Sequence, residues 1–109
     1  QQAIARWPQE FTWHYVLGRI RLDAQQFPGA ETEARTALAC AYGDQKLRAA
    51  MLLAKVLKAT DRRPEGIQVL DQALQDVPEP PPEIQVRTSR YRNQAQELRA
   101  ELANSVPTR

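Results

Sequence analysis

Histidine and cysteine occur once each in this chain of 109 residues, as His14 and Cys40. With one histidine, a His-based metal cluster or a nucleophile–histidine–carboxylate arrangement would have to be built on His14 alone, which is expected to pack at a helix interface or face solvent. With one cysteine, no internal disulfide forms. Cys40 lies in an alanine-rich run without a neighbouring base, so it reads as a small buried apolar residue and not as a nucleophile. The four glycines, Gly18, Gly29, Gly43 and Gly66, are too widely spaced to form a phosphate-cradling loop. Glu31 and Glu33 stand two apart, so on a helix they point to different faces. No catalytic constellation and no cofactor or metal site is expected. No apolar run approaches the roughly 20 residues of a spanning helix, and the N-terminus lacks a basic segment followed by an apolar stretch.

Charge of neither sign is in excess. Fifteen Lys and Arg face thirteen Asp and Glu, for a net +2, so the total does not call for a polyanionic partner. A hydrophobic fraction of 42% over this length supports one domain with a modest core. The Ala, Arg and Gln usage fits a bacterial protein, of the cytoplasm before the periplasm.

What the chain does have is internal self-similarity. Leu17-Gly18 returns 36 positions later as Leu53-Ala54, Ile20 as Val56, Pro28 as Pro64, Ala30 as Gly66, Ala34 as Leu70, and Ala37-Leu38 as Ala73-Leu74. Small and apolar residues recur in step, whereas charged ones mostly do not. A period of this size marks a helical repeat unit whose apolar face is buried by stacking on its neighbours.

Apolar spacing predicts the elements. Tyr15, Val16, Leu17, Ile20 and Leu22 give the first helix, Thr12 to about Gln25, a broad apolar face, and Phe27-Pro28-Gly29 breaks it. Pro28 fits the first turn of an Ala-rich second helix that stops at Gly43. Asp44 is placed to cap a third helix, Gln45 to about Ala59, and Pro64 starts a fourth that ends before Pro78. Beyond the stiff Glu79-Pro80-Pro81-Pro82-Glu83 connector, Ile84, Tyr91 and Leu98 share a stripe with Thr88, Ala95 and Leu102. They predict a fifth helix to about Ala103 whose polar outer face suits a cap on an open stack more than a free zipper.

These residues resemble the tetratricopeptide repeat, a helix-turn-helix unit of about 34 residues. In the first unit Leu17-Gly18, Ala30, Ala34 and Ala37 fall on its pattern, with Trp13 one place off the usual Trp and Arg21 where Tyr is typical. In the second, Leu53-Ala54, Leu57, Gly66, Leu70, Ala73 and Pro78 fall on it, with Ala50 in place of the Trp. The resemblance implies an all-α fold, a right-handed α-solenoid of helix-turn-helix repeats with a long C-terminal capping helix. Residues 11–43 and 44–78 are the two units, and 79–109 are the linker and cap. Ala3-Ile4 and Pro8 repeat the spacing of Ala73-Leu74 and Pro78, so residues 1–10 read as the end of a preceding unit or an N-terminal extension, and the chain as the C-terminal portion of a longer array.

Charge separates by helix. Arg19, Arg21, Lys46, Arg48, Lys55 and Lys58 lie on the first and third helices against Asp23, and Glu31, Glu33, Glu65, Asp71 and Asp76 on the second and fourth against Arg35. In the family the first helices of successive units line a concave groove, so the resemblance implies a basic, partly apolar groove. Tyr15, Arg19, Arg48, Met51, Lys55 and Lys58 form its wall, with Arg87 and Arg90 added by the cap. Such a groove suits an extended acidic peptide or a terminal carboxylate. Tyr15, Arg19, Met51 and Leu52 stand where chaperone-binding members carry Lys and Asn, so that particular clamp is not implied. The expected function is a protein–protein interaction module. Three alternatives stand beside it: ordinary solvated charges, a structural segment self-associating through the N-terminal end (Ile4, Trp7), and nucleic-acid binding by the basic cluster Arg87–Asn93.

Overall fold

A computed structural model describes residues 8–77 and 85–104, and these residues form five α-helices and no strand. They are α1 (Pro8–Asp23), α2 (Phe27–Cys40), α3 (Gln45–Ala59), α4 (Arg63–Asp76) and α5 (Gln85–Asn104). The third helix matches the predicted range. The first begins four residues earlier than the apolar spacing suggested, at Pro8, whose fixed φ and missing N–H suit a first helical position. That early turn carries Phe11, which is buried against Ala37, Ala41 and Ala49 and so ties α1 to α2 and α3. The Pro-rich connector and Ile84 lie outside the described residues.

The 36-residue correspondence is carried by the backbone as well as by side chains. Gln25 and Asp61, 36 apart, are the non-glycine residues with positive φ among the described residues, at 61° and 64°. In each turn the next N–H reaches back five residues, Gln26 to the Arg21 carbonyl at 2.8 Å and Arg62 to the Leu57 carbonyl at 2.7 Å. This is the Schellman closure, which satisfies carbonyls left open at a helix end. Glycine usually fills the left-handed position because it has no Cβ to clash, and here Gln25 and Asp61 take it instead.

Burial follows the same register. Ala30 and Gly66, Ala34 and Leu70, and Ala37 and Ala73 are buried in pairs, and so are Gly18 and Ala54. Small residues at these positions let helices approach closely. A Cβ on Gly18 would meet the Leu52 side chain at 2.8 Å, and one on Gly66 would meet Leu102 at 3.0 Å. Each helix packs on the next, and α3 also packs on both α1 and α5. The largest core joins α3, α4 and α5 through Leu47, Ala50, Ala54, Leu70, Ala73, Val77, Ala95, Leu98 and Leu102. A second joins α2 to α3 through Ala34, Leu52, Leu53 and Leu57. The fifth helix packs on α3 and α4 with Ala95, Leu98 and Leu102 buried and Tyr91 and Thr88 half-buried.

Two expectations are corrected. The broad apolar face of α1 is split: Leu17 and Leu22 turn inward, but Val16, Ile20 and Trp13 are exposed, because nothing among the described residues packs on that side. Cys40 is half-buried beside the Phe11 cluster, not fully enclosed, since it is the last residue of α2.

Replacing Gly18 by Val inserts a branched side chain where Leu52 already sits, and overpacking of this kind typically costs about 1–3 kcal/mol. Urea denaturation should show that loss, and Leu52→Ala in the Gly18→Val background should recover part of it. A strictly additive pair of losses would contradict the contact.

Candidate partner-binding face

The first helices α1, α3 and α5 lie side by side, and one cation fixes their order. Arg48 on α3 places its guanidinium 4.7 Å from the Tyr15 ring centre and 5.6 Å from that of Phe11, both on α1, and 5.8 Å from Tyr91 on α5. Phe11 and Tyr15 stack on each other at 5.5 Å. A planar cation over aromatic faces is attracted by their quadrupoles, each contact contributing on the order of 0.5–1 kcal/mol at a half-exposed site. Arg48 is thus a rivet across three helices, with only part of its charge turned outward.

Two ion pairs set the register of α5 on α3. Arg87 donates to Asp44 at 2.9 and 3.3 Å, joined by the Thr88 hydroxyl at 3.2 Å, and Lys58 pairs with Glu101. Both ion pairs span 43 residues, so α5 runs parallel to α3 at a constant offset. Asp44 therefore does not cap α3 through its side chain as expected; its carboxylate is drawn to α5. The hydrogen bond from Lys58 holds the Glu101 carboxyl below its ordinary value.

Of the eight residues expected to line the groove, Tyr15, Arg48 and Met51 are half-buried, Met51 against the α3–α5 core. Lys58 and Arg87 are neutralised by Glu101 and Asp44. Arg19, Lys55 and Arg90 are exposed and make no ion pair among the described residues. Arg19 lies one turn beyond Tyr15 and Lys55 one turn beyond Met51, with Arg19 and Lys55 36 positions apart. Between α3, α4 and α5 opens a pocket of about 400 Å³ lined by Lys55, Lys58, Ala59, Arg63, Leu98 and Glu101. Three cations and an apolar floor surround one carboxylate there. Arg63 and Glu101 were not singled out from sequence; their signal is the 43-residue offset, which the proline-rich connector conceals.

The basic cluster of α5 is largely committed inside the molecule. Arg87 is on Asp44, Tyr91 lies beside Arg48, and Arg92 donates to the Leu74 and Val77 carbonyls at 2.9 and 2.5 Å, closing the end of α4. Cations at a helix C-terminus also meet the negative end of its dipole.

On the second-helix side the charges pair among themselves. Arg62 grips Glu31 with two bonds of 2.8 and 3.1 Å and reaches Glu65 at 3.1 Å, while Arg35 joins Glu31 at 2.8 Å and Glu65 at 2.9 Å. This square ties α2 to the start of α4. Glu33, on the other face of α2, accepts from His14 at 2.6 Å, which places His14 at the α1–α2 interface. Nearby, a groove of about 510 Å³ runs between α2 and α4 over Leu38, Val69 and Ala73, rimmed by Lys46, Gln68, Gln72 and Asp76. It exists because α2 ends in small residues, and the sequence reading missed it. Among the described residues no three His, Cys, Asp or Glu form a metal-binding group, and no helix is long and apolar enough to cross a membrane.

The hydrogen bonds from Arg62 and then Arg35 hold the Glu31 carboxyl below its ordinary value of 4.5. As the folded value lies below the unfolded one, the unfolded chain takes up the proton first, and stability falls as pH drops through and below that range. Glu31→Gln should therefore be less stable than wild type at pH 7, with the gap narrowing on acidification in urea titrations. A gap independent of pH would show that the carboxylate charge plays no part.

Neither a protein-family model, nor a curated protein, nor a solved structure matches this chain.

Proposed function

We propose that this chain is a protein–protein interaction module, a tetratricopeptide-like stack of two helix pairs and a cap, that holds an extended acidic segment of a partner on the face of α1, α3 and α5. The observation that carries this reading is the pairing of Arg19 with Lys55. They stand 36 positions apart, both exposed and both without an ion pair among the described residues, while Lys58 and Arg87 on the same face are paired with Glu101 and Asp44; the charge of Lys55 also acts through space on Glu101. Cations so placed on parallel helices form a row, and a row of positive charge matches a chain with acidic residues at intervals. Lys55 also lines the Lys58–Arg63 pocket, in which the chain's own Glu101 carboxylate sits on the Lys58 ammonium. Tyr15 and Met51 add apolar surface beside the row, and the rigid packing below it lowers the ordering cost of binding. The engagement of Arg87, Tyr91 and Arg92 within the fold leaves the α5 cluster little to offer a nucleic acid, so the peptide reading is preferred.

The test is fluorescence anisotropy with labelled acidic peptides carrying a terminal carboxylate or amide. Wild type should bind, more weakly as salt rises. Arg19→Glu/Lys55→Glu should abolish binding, and Glu101→Gln should tighten it several-fold by freeing Lys58 from its internal competitor. Silence from every acidic peptide, or binding indifferent to the double substitution, would overturn the proposal.

A further inference from the structure

Trp13, Val16, Ile20 and Asp23 stand along one side of α1, three, four and three residues apart, the spacing that sets side chains in a single row down a helix. All four are exposed, the apolar three by 65, 46 and 57%. Their counterparts 36 positions later on α3, Ala49, Leu52 and Val56, are exposed by 0, 2 and 0%, because α3 packs on α1, α2, α4 and α5. Beside the row, Thr12 and Ala24 are uncharged, and Arg19 lies at its edge. Single exposed apolar side chains are ordinary, but Trp, Val and Ile in line on one helix form a patch that calls for a partner. The Ile4 and Trp7 end expected to mediate self-association lies outside the described residues, whereas this row lies within them.

We propose that this row is a homodimer interface: two copies of the chain pack α1 against α1, antiparallel, about a two-fold axis that passes between Val16 and Ile20. The spacing selects this occupant. Three, four, three reads the same in both directions, so reversing one helix aligns every member of the row with a member of the other. Val16 then meets Ile20 of the second copy, Ile20 meets its Val16, and Trp13 meets its Asp23. An isologous interface requires such self-complementarity, and knobs at this spacing fit the holes of a facing helix. The chemistry agrees along the row. Val16 and Ile20 make two identical apolar layers astride the axis. Each indole lies over the far end of the other row, where the small Ala24 leaves room for it and the Asp23 carboxylate accepts its N–H, a partner that a covered indole needs. Asp23 is exposed and has no ion pair among the described residues, so its oxygens are free to take that bond. A lipid surface or a purely apolar groove would instead cover the carboxylate without supplying a donor, which is costly.

Area sets the strength. The three apolar side chains expose a few hundred Å² between them, so two rows with their rims fall at the low end of specific interfaces, below roughly 1,200 Å² in total. Association is therefore weak and visible as a concentration dependence, and because the axis uses the same row in both copies, it closes at two chains. The row lies on the side of α1 away from Phe11, which packs toward α2 and α3, and the inference does not rest on the acidic ligand.

Sedimentation velocity of the 109-residue chain, run from low to high micromolar concentration, is the test. Wild type should pass from one chain mass to two as concentration rises, and no further. Val16→Arg and Ile20→Glu, both at exposed positions, should each hold at one chain mass throughout while circular dichroism shows the helices retained. Their equimolar mixture should regain the dimer, since antiparallel packing sets the new cation of one chain against the new anion of the other and leaves the remaining layer as Val on Ile. Asp23→Ala should weaken the wild-type dimer several-fold. A wild type of one chain mass at every concentration would overturn the proposal and leave the row to a different polypeptide. A dimer that survives Val16→Arg would overturn it by moving the interface elsewhere, and a mixture that stays monomeric would overturn the antiparallel pairing on which it is built.

Discussion

Close approach of helices through small side chains is the constraint on which the rest of this molecule depends. Gly18 against Leu52 and Gly66 against Leu102 are contacts in which one added methyl already crowds the neighbour. Around them Ala30, Ala34, Ala37, Ala50, Ala54, Ala73 and Ala95 are buried. Helices pack with axes 8–10 Å apart, and the side chains at the crossing set where in that range a pair sits. Small residues therefore do two things at once. They draw each pair together, and they bring the first helices near enough for Arg48 to touch rings from both neighbours. An alanine buries little apolar area by itself, so α2 gains its stability from what it covers more than from its own side chains.

Electrostatics then divides the molecule into two sides. Between α2 and α4, two glutamates and two arginines neutralise one another in a square, leaving that side paired. Between α3 and α5, two ion pairs act as registration marks at either end of the parallel helices. Among the exposed charges of α1, α3 and α5 without an ion pair among the described residues are Arg19, Lys55 and Arg90, beside the carboxylates Asp23 and Glu97. Surface pairs of this kind contribute little to stability one at a time, so their consequence here is mainly which charges remain available.

Much of this was legible in the sequence, and the reason is that it rested on short-range physics. The five helices, the prolines at the first turns of α2 and α4 and the range of α3 all follow from spacing and punctuation. The start of α1 at Pro8 was missed because Phe11 is the only large apolar residue in its first turn, and its burial depends on Ala37, Ala41 and Ala49, which are far away in sequence. The exposure of Val16 and Ile20 was missed for a related reason: hydrophobicity says that a side chain favours burial but not whether a neighbour is there to bury it. Asp44 reads as a cap from its local context, yet Arg87 and Thr88 claim its carboxylate from 43 and 44 residues away. Helical register assigns the eight residues expected to line a groove to their helices, but which of their cations are paired is decided by Asp44 and Glu101, and that requires the tertiary fold.

The claim that most needs a direct test is that the α1–α3–α5 face, and not the groove between α2 and α4, is where a partner sits. Titrating isotope-labelled protein with an acidic peptide and following amide shifts residue by residue by NMR addresses it. The account predicts the largest shifts at Tyr15, Arg19, Met51, Lys55 and Leu98, with little change at Leu38, Val69 and Gln72. Shifts concentrated at Leu38, Val69 and Gln72 would contradict it and move the binding site to the opposite side of the molecule.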